Sequence, residues 1–400
     1  MSTESEVVDF DPSYIAGLFD GTGRIRFDIS ETGDGDYTVR PMLRIKPYQT
    51  DIREAVIGEF LDGQGFDYRY TERNYGNEFF SLQQRSDLER LQAYLSGESA
   101  HLVRELEFVT GPFAEEFDFD ILDPVDVYRF TKIRDRLRYG WRPRGRYHVS
   151  PTDIAEEHDI DTESVSINRP SLPDGDLRPD YSVEWVAGLY DGLCRYRPSI
   201  AKSDEHTIGY SMYPIARIAA GGVTPTLVRH FCRFCEDYSL TYGDSSDRTK
   251  LQIVFTGPSN IRRVLDVVFP RLLVLAKHSE ALVQSILPRF DNGEDHDRQG
   301  FYDLLRDFDP IAQATGGPYR DRDYDPDHFA DIWREDLNFA GESSHGGIGA
   351  LAAHPIDELE SVTATPEPYE NFLGRYQTVV DRSLRDNKLV EELKRLYNDR

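Results

Sequence analysis

Apolar and polar residues alternate along two neighbouring segments near the start of the chain. RIRFDIS (24–30) and YTVRPMLRI (37–45) place an apolar residue at nearly every second position, which is the side-chain period of a β-strand with two different faces. In TDIREAVIGEFL (50–61) and PTLVRHFCRFCEDY (225–238) the apolar residues recur every three or four positions instead. This spacing predicts helices with one buried side.

The succession of these patterns occurs twice. YIAGLFDG (14–21) and WVAGLYDG (185–192) share five of eight residues, and Ala16 and Ala187 are 171 positions apart. Two later pairs of segments follow at nearly the same offset: VRPMLRI (39–45) with MYPIARI (212–218), and FFSLQQRSDLERL (79–91) with LQIVFTGPSNIRRVL (251–265). Ordered matches at a nearly constant offset predict an internal duplication.

Each repeat is predicted to contain a short helix ending at Asp-Gly, two strands, a helix, two short strands and closing helices. The predicted fold class is therefore α+β, built from tandem αββαββα units. The units cover 10–138 and 181–315, a polar, Pro-rich linker covers 139–180, and a C-terminal extension covers 316–400.

The linker and the extension carry weaker patterns. The middle of the linker is either a solvated segment with one helical turn or half of a helix-turn-helix with Ala155 and Ile160 buried. The extension ends in a long amphipathic stretch (369–400), which predicts a helix that docks on the body or pairs with a partner.

Small residues recur on one side of each motif helix: Ala16, Gly17 and Gly21 in the first, and Ala187, Gly188 and Gly192 in the second. Because glycine has no Cβ, helices with this spacing can approach each other very closely. A single copy would equally suit a buried helix with an Asp-Gly C-cap. Two copies heading repeated units favour a close pair of helices.

These motifs resemble those of the LAGLIDADG homing endonucleases, in the single-chain form with two motif copies. The resemblance covers both repeats and leaves the linker and the extension unexplained. It implies that the motif helices pack along a pseudo-two-fold axis and that two saddle-shaped antiparallel sheets cover the major groove of DNA. It also implies a monomer with internal pseudo-symmetry.

The predicted strands place basic residues on their open face. In the first repeat that face carries one acid, Asp28, and five basic residues: Arg24, Arg26, Arg40, Arg44 and Lys46. The second repeat keeps Arg195, Arg197 and Arg217, while Tyr213 and Ile215 dilute its charge. Arginine suits bidentate contact with guanine and also binds phosphate. We therefore expect double-stranded DNA as the partner, with the first repeat the stronger half, although a solvated strand face would have a similar pattern.

The sequence departs from the family at the catalytic positions. The family has an acid two positions after the Asp of each motif, and these acids bind the divalent metals used in phosphodiester cleavage. Here the positions hold Thr22 and Leu193. We expect no cofactor, and Mg²⁺ only if Asp20 and Asp191 replace the missing ligands. Lys277 matches a family lysine near the site by its spacing from a following Ala, and is equally compatible with a surface lysine.

The charge of the chain sets a condition on DNA binding. The chain has 400 residues, with 72 acidic against 46 basic residues, only 7 of them Lys, and a net charge of −26. Such composition is typical of proteins from a high-salt cytoplasm, where a carboxylate-rich surface keeps the chain solvated, and the alternative is an acidic partner-binding protein in ordinary salt. At molar salt the Debye length is about 3 Å, so long-range repulsion from DNA is small and local contacts decide binding.

Other features point to an intracellular protein without a metal centre. The three cysteines form no disulfide framework, and Cys232 and Cys235, with His230, lie inside a helical pattern that favours packing over zinc binding. No long apolar run is present, and the first residues do not resemble a signal peptide. We therefore expect a cytoplasmic location.

Three functions remain open from the sequence. The first is a sequence-specific DNA-binding protein that has lost cleavage. The second is an active homing endonuclease with rearranged metal ligands. The third is a scaffold that uses the fold and the C-terminal helix for protein contacts and does not bind DNA.

Overall fold

The computed structural model describes residues 10–32, 35–46, 51–71, 79–117, 121–137, 150–166, 177–221, 223–246, 250–316 and 324–338. The first part of the chain contains α1 (Pro12–Thr22), β1 (Gly23–Glu31), β2 (Tyr37–Ile45), α2 (Asp51–Gly63), β3 (Arg69–Thr71), β4 (Phe79–Leu82), α3 (Arg85–Leu95), α4 (Leu102–Phe108), a π-helical turn (Val109–Phe113), α5 (Ala114–Phe117), β5 (Ile121–Leu122), α6 (Pro124–Leu137) and α7 (Pro151–Glu157).

The second part repeats much of this order. It contains α8 (Val183–Leu193), β6 (Cys194–Lys202), β7 (Tyr210–Gly221), α9 (Pro225–Asp237), β8 (Gly243–Asp244), β9 (Lys250–Thr256), α10 (Pro258–Val268), α11 (Ala276–Ala281), a π-helical turn (Leu282–Ile286), α12 (Leu287–Asp291), α13 (Arg298–Gly316), α14 (Pro326–Ile332) and two 3₁₀ turns (Phe269–Arg271 and Glu294–His296).

The predicted α+β class is confirmed, and β2 has the bounds that the alternation predicts. The motif helices begin at side-chain caps: Asp11 accepts from the Tyr14 N–H and Ser182 accepts from the Trp185 N–H, each at 3.1 Å. Their predicted ends at Asp-Gly are wrong by one residue. Each helix runs on to Thr22 or Leu193 and passes directly into a strand.

Two antiparallel sheets have the same strand order. The first is β1-β2-β4-β3, with β5 also paired to β2, and the second is β6-β7-β9-β8. In the first sheet Ile25 pairs with Leu43, and Ile29 pairs with Val39, so the apolar residues share the face that packs on the core. The polar residues of these strands therefore share the opposite, open face.

One hydrophobic cluster extends through both halves, with α1 and α8 at its centre. From Tyr14 to Thr22 and from Trp185 to Leu193 every residue of these helices is buried. Helices buried all round in this way are held by packing on every side, because neither face reaches water.

Part of the predicted linker lies against the first half rather than in solvent. In α7 the side chain of Ile154 is buried, and Tyr37 Oη and His158 Nε2 form a hydrogen bond of 2.9 Å. At the other end of the linker, Arg178 is buried. Its backbone N–H donates to the Ser99 carbonyl, and its guanidinium lies 5.5 Å from the Trp185 ring.

The described part of the C-terminal extension docks on the second sheet. In α14 Phe329 packs edge-on against Tyr210, at the start of β7, with ring centroids 5.0 Å apart. Trp333 contacts the Phe301 ring of α13. The predicted terminal helix lies outside the described residues. Among the described helices, none is long and apolar enough to cross a membrane.

Candidate nucleic-acid interface

The backbones of the two motif helices touch. A Cβ built on Gly17 would lie 1.9 Å from the carbonyl oxygen of Trp185, and one built on Gly188 would lie 1.9 Å from that of Tyr14. Both distances are far below van der Waals contact, so only glycine fits either position. Ala16 and Ala187, the neighbouring small residues, are fully buried.

Further along, side chains take part in the contact as well as backbone. A Cβ on Gly21 would lie 3.0 Å from Leu193 Cγ, and one on Gly192 would lie 3.2 Å from both the Leu18 carbonyl oxygen and Thr22 Cγ2. The first glycine of each helix lies against the start of the other helix, near Trp185 or Tyr14, and the second lies against its end, near Leu193 or Thr22. Because the contacts advance from start to end along both helices, the helices run in the same direction. We call this contact the helix seam.

Thr22 and Leu193 close the end of the helix seam that leads into the sheets. Both side chains are buried, and each packs on a glycine of the opposite helix. The Thr22 hydroxyl donates a hydrogen bond of 2.7 Å to the Leu18 carbonyl of its own helix. The positions at which the family carries acids are therefore filled by apolar atoms and one hydroxyl that already has an acceptor.

The Asp20 carboxylate is fully buried and surrounded by donors from distant segments. Five groups donate to it at 2.6–3.2 Å: Ser99 Oγ, the backbone N–H groups of Ala100, His101 and Leu102, and Trp185 Nε1. Burial raises the pKa of Asp20, while the hydrogen bonds, led by that from Ser99, oppose the rise. The carboxylate also lies at the N-terminus of α4, where the helix dipole favours a negative charge.

Asp191 has a matching environment in the second half. It is fully buried and accepts four hydrogen bonds at 2.6–3.0 Å, from Tyr14 Oη and from the backbone N–H groups of Leu273, Val274 and Leu275. Burial raises the pKa of this carboxyl too, and the Tyr14 hydroxyl is the strongest opposing influence. The segment that supplies the backbone donors leads into α11, as the corresponding segment leads into α4.

These residues do not fit a magnesium ion. Mg²⁺ needs several oxygen ligands in a near-octahedral arrangement, most of them open to water. Leu193 has no ligand atom, and the carboxylate oxygens of Asp20 and Asp191 are enclosed by hydrogen-bond donors. Among the described residues, no group of three or more His, Cys, Asp or Glu side chains could hold a metal ion. The surroundings of both aspartates thus favour a structural role over the catalytic one considered from the sequence.

Lys277 and the cysteine pair lie on the second half. Lys277 is a half-buried residue of α11, two positions after Leu275, whose N–H donates to Asp191.

Cys235 is buried in α9, and the half-buried Cys232 lies 3.8 Å from the Asp244 carboxylate. Burial raises the pKa of Cys232 to about 11, so its thiol is protonated at neutral pH and is a poor metal ligand in that form.

The first sheet brings the predicted basic residues together in register. Arg24 pairs with Arg44 across β1 and β2, Arg26 pairs with Met42, and Asp28 pairs with Arg40. Directly paired residues project from the same face of a sheet, so these side chains form one surface. We call this surface, Arg24, Arg26, Asp28, Arg40, Met42 and Arg44, the first open face.

Contacts within the first open face orient some of its arginines. Arg44 lies over the Phe79 ring, 4.6 Å from its centroid, and its Nε donates to Met42 Sδ at 3.1 Å. Arg24 bonds to the Asp20 carbonyl and reaches the Gly221 carbonyl of the second half at 3.3 Å. Lys46 follows β2, and its backbone N–H donates to the Thr22 carbonyl. The side chains of Arg24 and Arg44 are therefore held by contacts within the fold, whereas Arg40 is exposed.

The second sheet has a less charged open face. Arg195 pairs with Arg217 near the helix seam, and Arg197 pairs with the buried Ile215. Beyond them Ser199 pairs with Tyr213, whose side chain is exposed. This second open face thus has three arginines close to the seam and uncharged residues further out, so the two halves differ in charge.

His101 is a buried histidine near the helix seam that the sequence did not predict. It is buried beside Asp20, and burial, together with the positive charges of Arg24 and Arg104, lowers its pKa to about 3. His101 is therefore neutral at pH 7, and the 3.5 Å approach of its Nε2 to Glu105 is not an ion pair at that pH. Nothing in the local sequence distinguishes His101, because its burial depends on the distant residues that pack around Asp20.

Comparison with known proteins bears on the fold. No family model matches the chain, and no curated protein matches it in sequence. Among solved structures, the LAGLIDADG meganuclease I-CpaMI bound to uncleaved DNA is similar, with a TM-score of 0.53 and 13% identity over 77% of this chain and 99% of that chain. The meganuclease I-SmaMI bound to uncleavable DNA has a TM-score of 0.53 and 12% identity over 80% of this chain and all of that chain.

The class defined by these features is a mixed α+β protein in which two antiparallel sheets flank a pair of glycine-bearing helices. The fold is that of the LAGLIDADG homing endonucleases.

Proposed function

We propose that this protein binds double-stranded DNA through the first and second open faces and does not cleave it. The observation that carries the proposal is the register of β1 and β2, which gathers four arginines on one surface of a chain with a net charge of −26. A local basic surface on an acidic body is expected where an anionic partner binds. The DNA complexes of the structural neighbours are consistent with this partner.

Loss of cleavage is the second part of the proposal. It rests on Thr22 and Leu193, which fill the ends of the motif helices with apolar atoms. It rests equally on Asp20 and Asp191, whose carboxylate oxygens accept hydrogen bonds from backbone N–H groups at the starts of α4 and α11. Neither Thr22 with Leu193 nor Asp20 with Asp191 can hold a metal that activates water unless the packing of the helix seam changes.

The shared strand order of the two sheets supports an origin by internal duplication, with units at 10–138 and 181–315 and a pseudo-two-fold axis along the helix seam. Both halves are enclosed in one hydrophobic cluster, which suits a monomer that binds DNA without a second copy. A soluble, cytoplasmic location is part of the same proposal.

The test is a selection of bound duplexes from a random library, followed by incubation of the selected duplex with Mg²⁺ or Mn²⁺ across KCl concentrations up to the molar range. Binding without cleavage is expected. Metal-dependent ends with 3′ overhangs would overturn the loss of cleavage, and absence of binding at every salt concentration would overturn the DNA partner and leave the scaffold function.

A pair of double variants locates the surface. Arg40→Ala with Arg44→Ala removes two charges from the first open face and should weaken binding and reduce its salt dependence. The matched control, Arg233→Ala with Arg334→Ala, removes two exposed arginines from outside both sheets and should leave binding nearly unchanged. Equal loss in both pairs would show only an effect of net charge.

A further inference from the structure

Asp28 and Arg40 form an opposite-charge pair on the first open face. They are direct partners across β1 and β2, and both side chains are exposed. Neither side chain makes a hydrogen bond or an ion pair with a described residue. Even a formed ion pair at an exposed site contributes only about 0–1 kcal/mol, so little stability is lost by leaving both groups open to a ligand.

The spacing of the pair matches the edge of one base pair. Directly opposed residues on antiparallel strands have Cα atoms about 4.5–5.5 Å apart, and their side chains point the same way. In the major groove a G·C pair presents the O6 and N7 acceptors of guanine beside the N4 donor of cytosine. An arginine complements the first base and an aspartate complements the second.

We propose that Arg40 and Asp28 together recognise a single G·C base pair, with Arg40 on guanine O6 and N7 and Asp28 accepting from cytosine N4. This assignment rests on the proposed DNA binding. It makes the pair specificity-determining, whereas the arginines near the helix seam supply affinity.

A contact with phosphate fits the pair less well. If Arg40 bound the DNA backbone, the neighbouring Asp28 carboxylate would lie close to the same phosphate and repel it. On a base edge the carboxylate instead meets a donor, so both charges of the pair are satisfied. The presence of an acid beside the exposed arginine therefore favours base contact.

The second half provides an internal comparison. Ser199 and Tyr213 are direct partners across β6 and β7 at the positions that correspond to Asp28 and Arg40 in the predicted repeats. This pair carries no charge and cannot recognise G·C in the same way. The charged pair thus belongs to one half-site only, which gives the protein a defined orientation on its target.

The experiment selects bound duplexes with the full chain and with three variants. Wild type should fix one position as G·C. The exchange variant, Asp28→Arg with Arg40→Asp, should prefer C·G at that position and leave the others unchanged. Arg40→Ala removes the bidentate contact with guanine and should reduce discrimination at the position by roughly 5- to 150-fold. The control, Ser199→Ala with Tyr213→Phe, should keep the G·C preference.

Two results would overturn the assignment. If the exchange variant folds, as judged by circular dichroism, and binds more weakly with an unchanged base preference, Arg40 contacts phosphate and the pair does not recognise bases. A wild type that binds duplexes with no preference at any position also excludes it, while leaving the proposed DNA binding intact. A wild type that binds no duplex rejects both proposals together.

Discussion

Trp185 Nε1 donates a hydrogen bond of 2.9 Å to Oδ2 of Asp20, across the helix seam. The relationship is reciprocal, because Tyr14, at the corresponding position of the other helix, donates to Oδ2 of Asp191 at 2.6 Å. Each motif helix therefore carries in its first turn an aromatic residue that donates a hydrogen bond to the carboxylate near the end of the partner helix. This gives both aspartates a function in holding the two halves together that does not depend on catalysis.

The Tyr14 hydroxyl can be removed with little change in shape. Tyr14→Phe deletes one donor to a buried carboxylate, and we expect the free energy of unfolding to fall by about 1.5–3 kcal/mol in urea titrations. The control is Tyr210→Phe, whose ring packs on α14 and whose hydroxyl makes no hydrogen bond with a described residue. It should change stability by less than about 0.5 kcal/mol. Equal effects of the two variants would show that the bond to Asp191 contributes nothing specific.

The contact between helix backbones predicts an extreme sensitivity at Gly17. Gly17→Ala would place a Cβ 1.9 Å from the Trp185 carbonyl oxygen, so the helices must separate, and we expect a loss of about 3 kcal/mol or more, or failure to fold. Gly58→Ala is the matched control, because Gly58 lies inside α2 and its new Cβ would be 3.8 Å from Phe80. That variant should be neutral or more stable by up to about 1 kcal/mol. A stable Gly17→Ala protein would contradict the helix seam.

The buried His101 predicts a pH dependence of stability. Its pKa falls from 6.5 in the unfolded chain to about 3 in the folded protein, so the unfolded state binds the extra proton between these values. The stabilising contribution is complete above pH 6.5 and is lost as the pH falls towards 3. Between pH 7.5 and 5.0 the wild type should lose about 2 kcal/mol more than His101→Gln, measured by urea unfolding at each pH.

The comparison between the two proteins isolates His101 from other groups. His230, whose pKa is also lowered by burial, titrates in wild type and variant alike and cancels in the difference. Parallel stability curves for the two proteins would mean that His101 takes up a proton in the folded state near its ordinary pKa.

Acids at the two positions where LAGLIDADG homing endonucleases carry them should create a metal site. Thr22→Asp with Leu193→Asp places one carboxylate from each helix at the end of the helix seam, where both native side chains are buried. Two like charges there should destabilise the metal-free protein, and Mg²⁺ should recover stability by binding only the folded state. We expect a Tm that rises with Mg²⁺ concentration, and nicking of the selected duplex.

The neutral variant Thr22→Asn with Leu193→Asn keeps a similar side-chain size without the charges and should show neither effect. If the acidic variant folds but its Tm does not change with Mg²⁺ concentration, the end of the helix seam does not have the geometry of a metal site.

The sequence by itself determined the strands and helices whose apolar residues recur at a regular spacing. The alternation of apolar and polar residues in 37–45 predicts the bounds of β2, because side chains two positions apart in a strand project from the same face. The arginines of the first open face were predicted by the same period, and the glycine spacing pointed to a close helix pair because it depends on a single turn of helix.

Only the tertiary structure decided what the motif residues contact. Asp20 receives its hydrogen bonds from residues 99–102 and from Trp185, and nothing near Asp20 in the sequence specifies those donors. The pairing of Asp28 with Arg40 likewise depends on the register that the β1–β2 hairpin adopts. Period and composition are properties of neighbouring residues, whereas burial, pKa and partner depend on segments that meet only when the chain has folded around the helix seam.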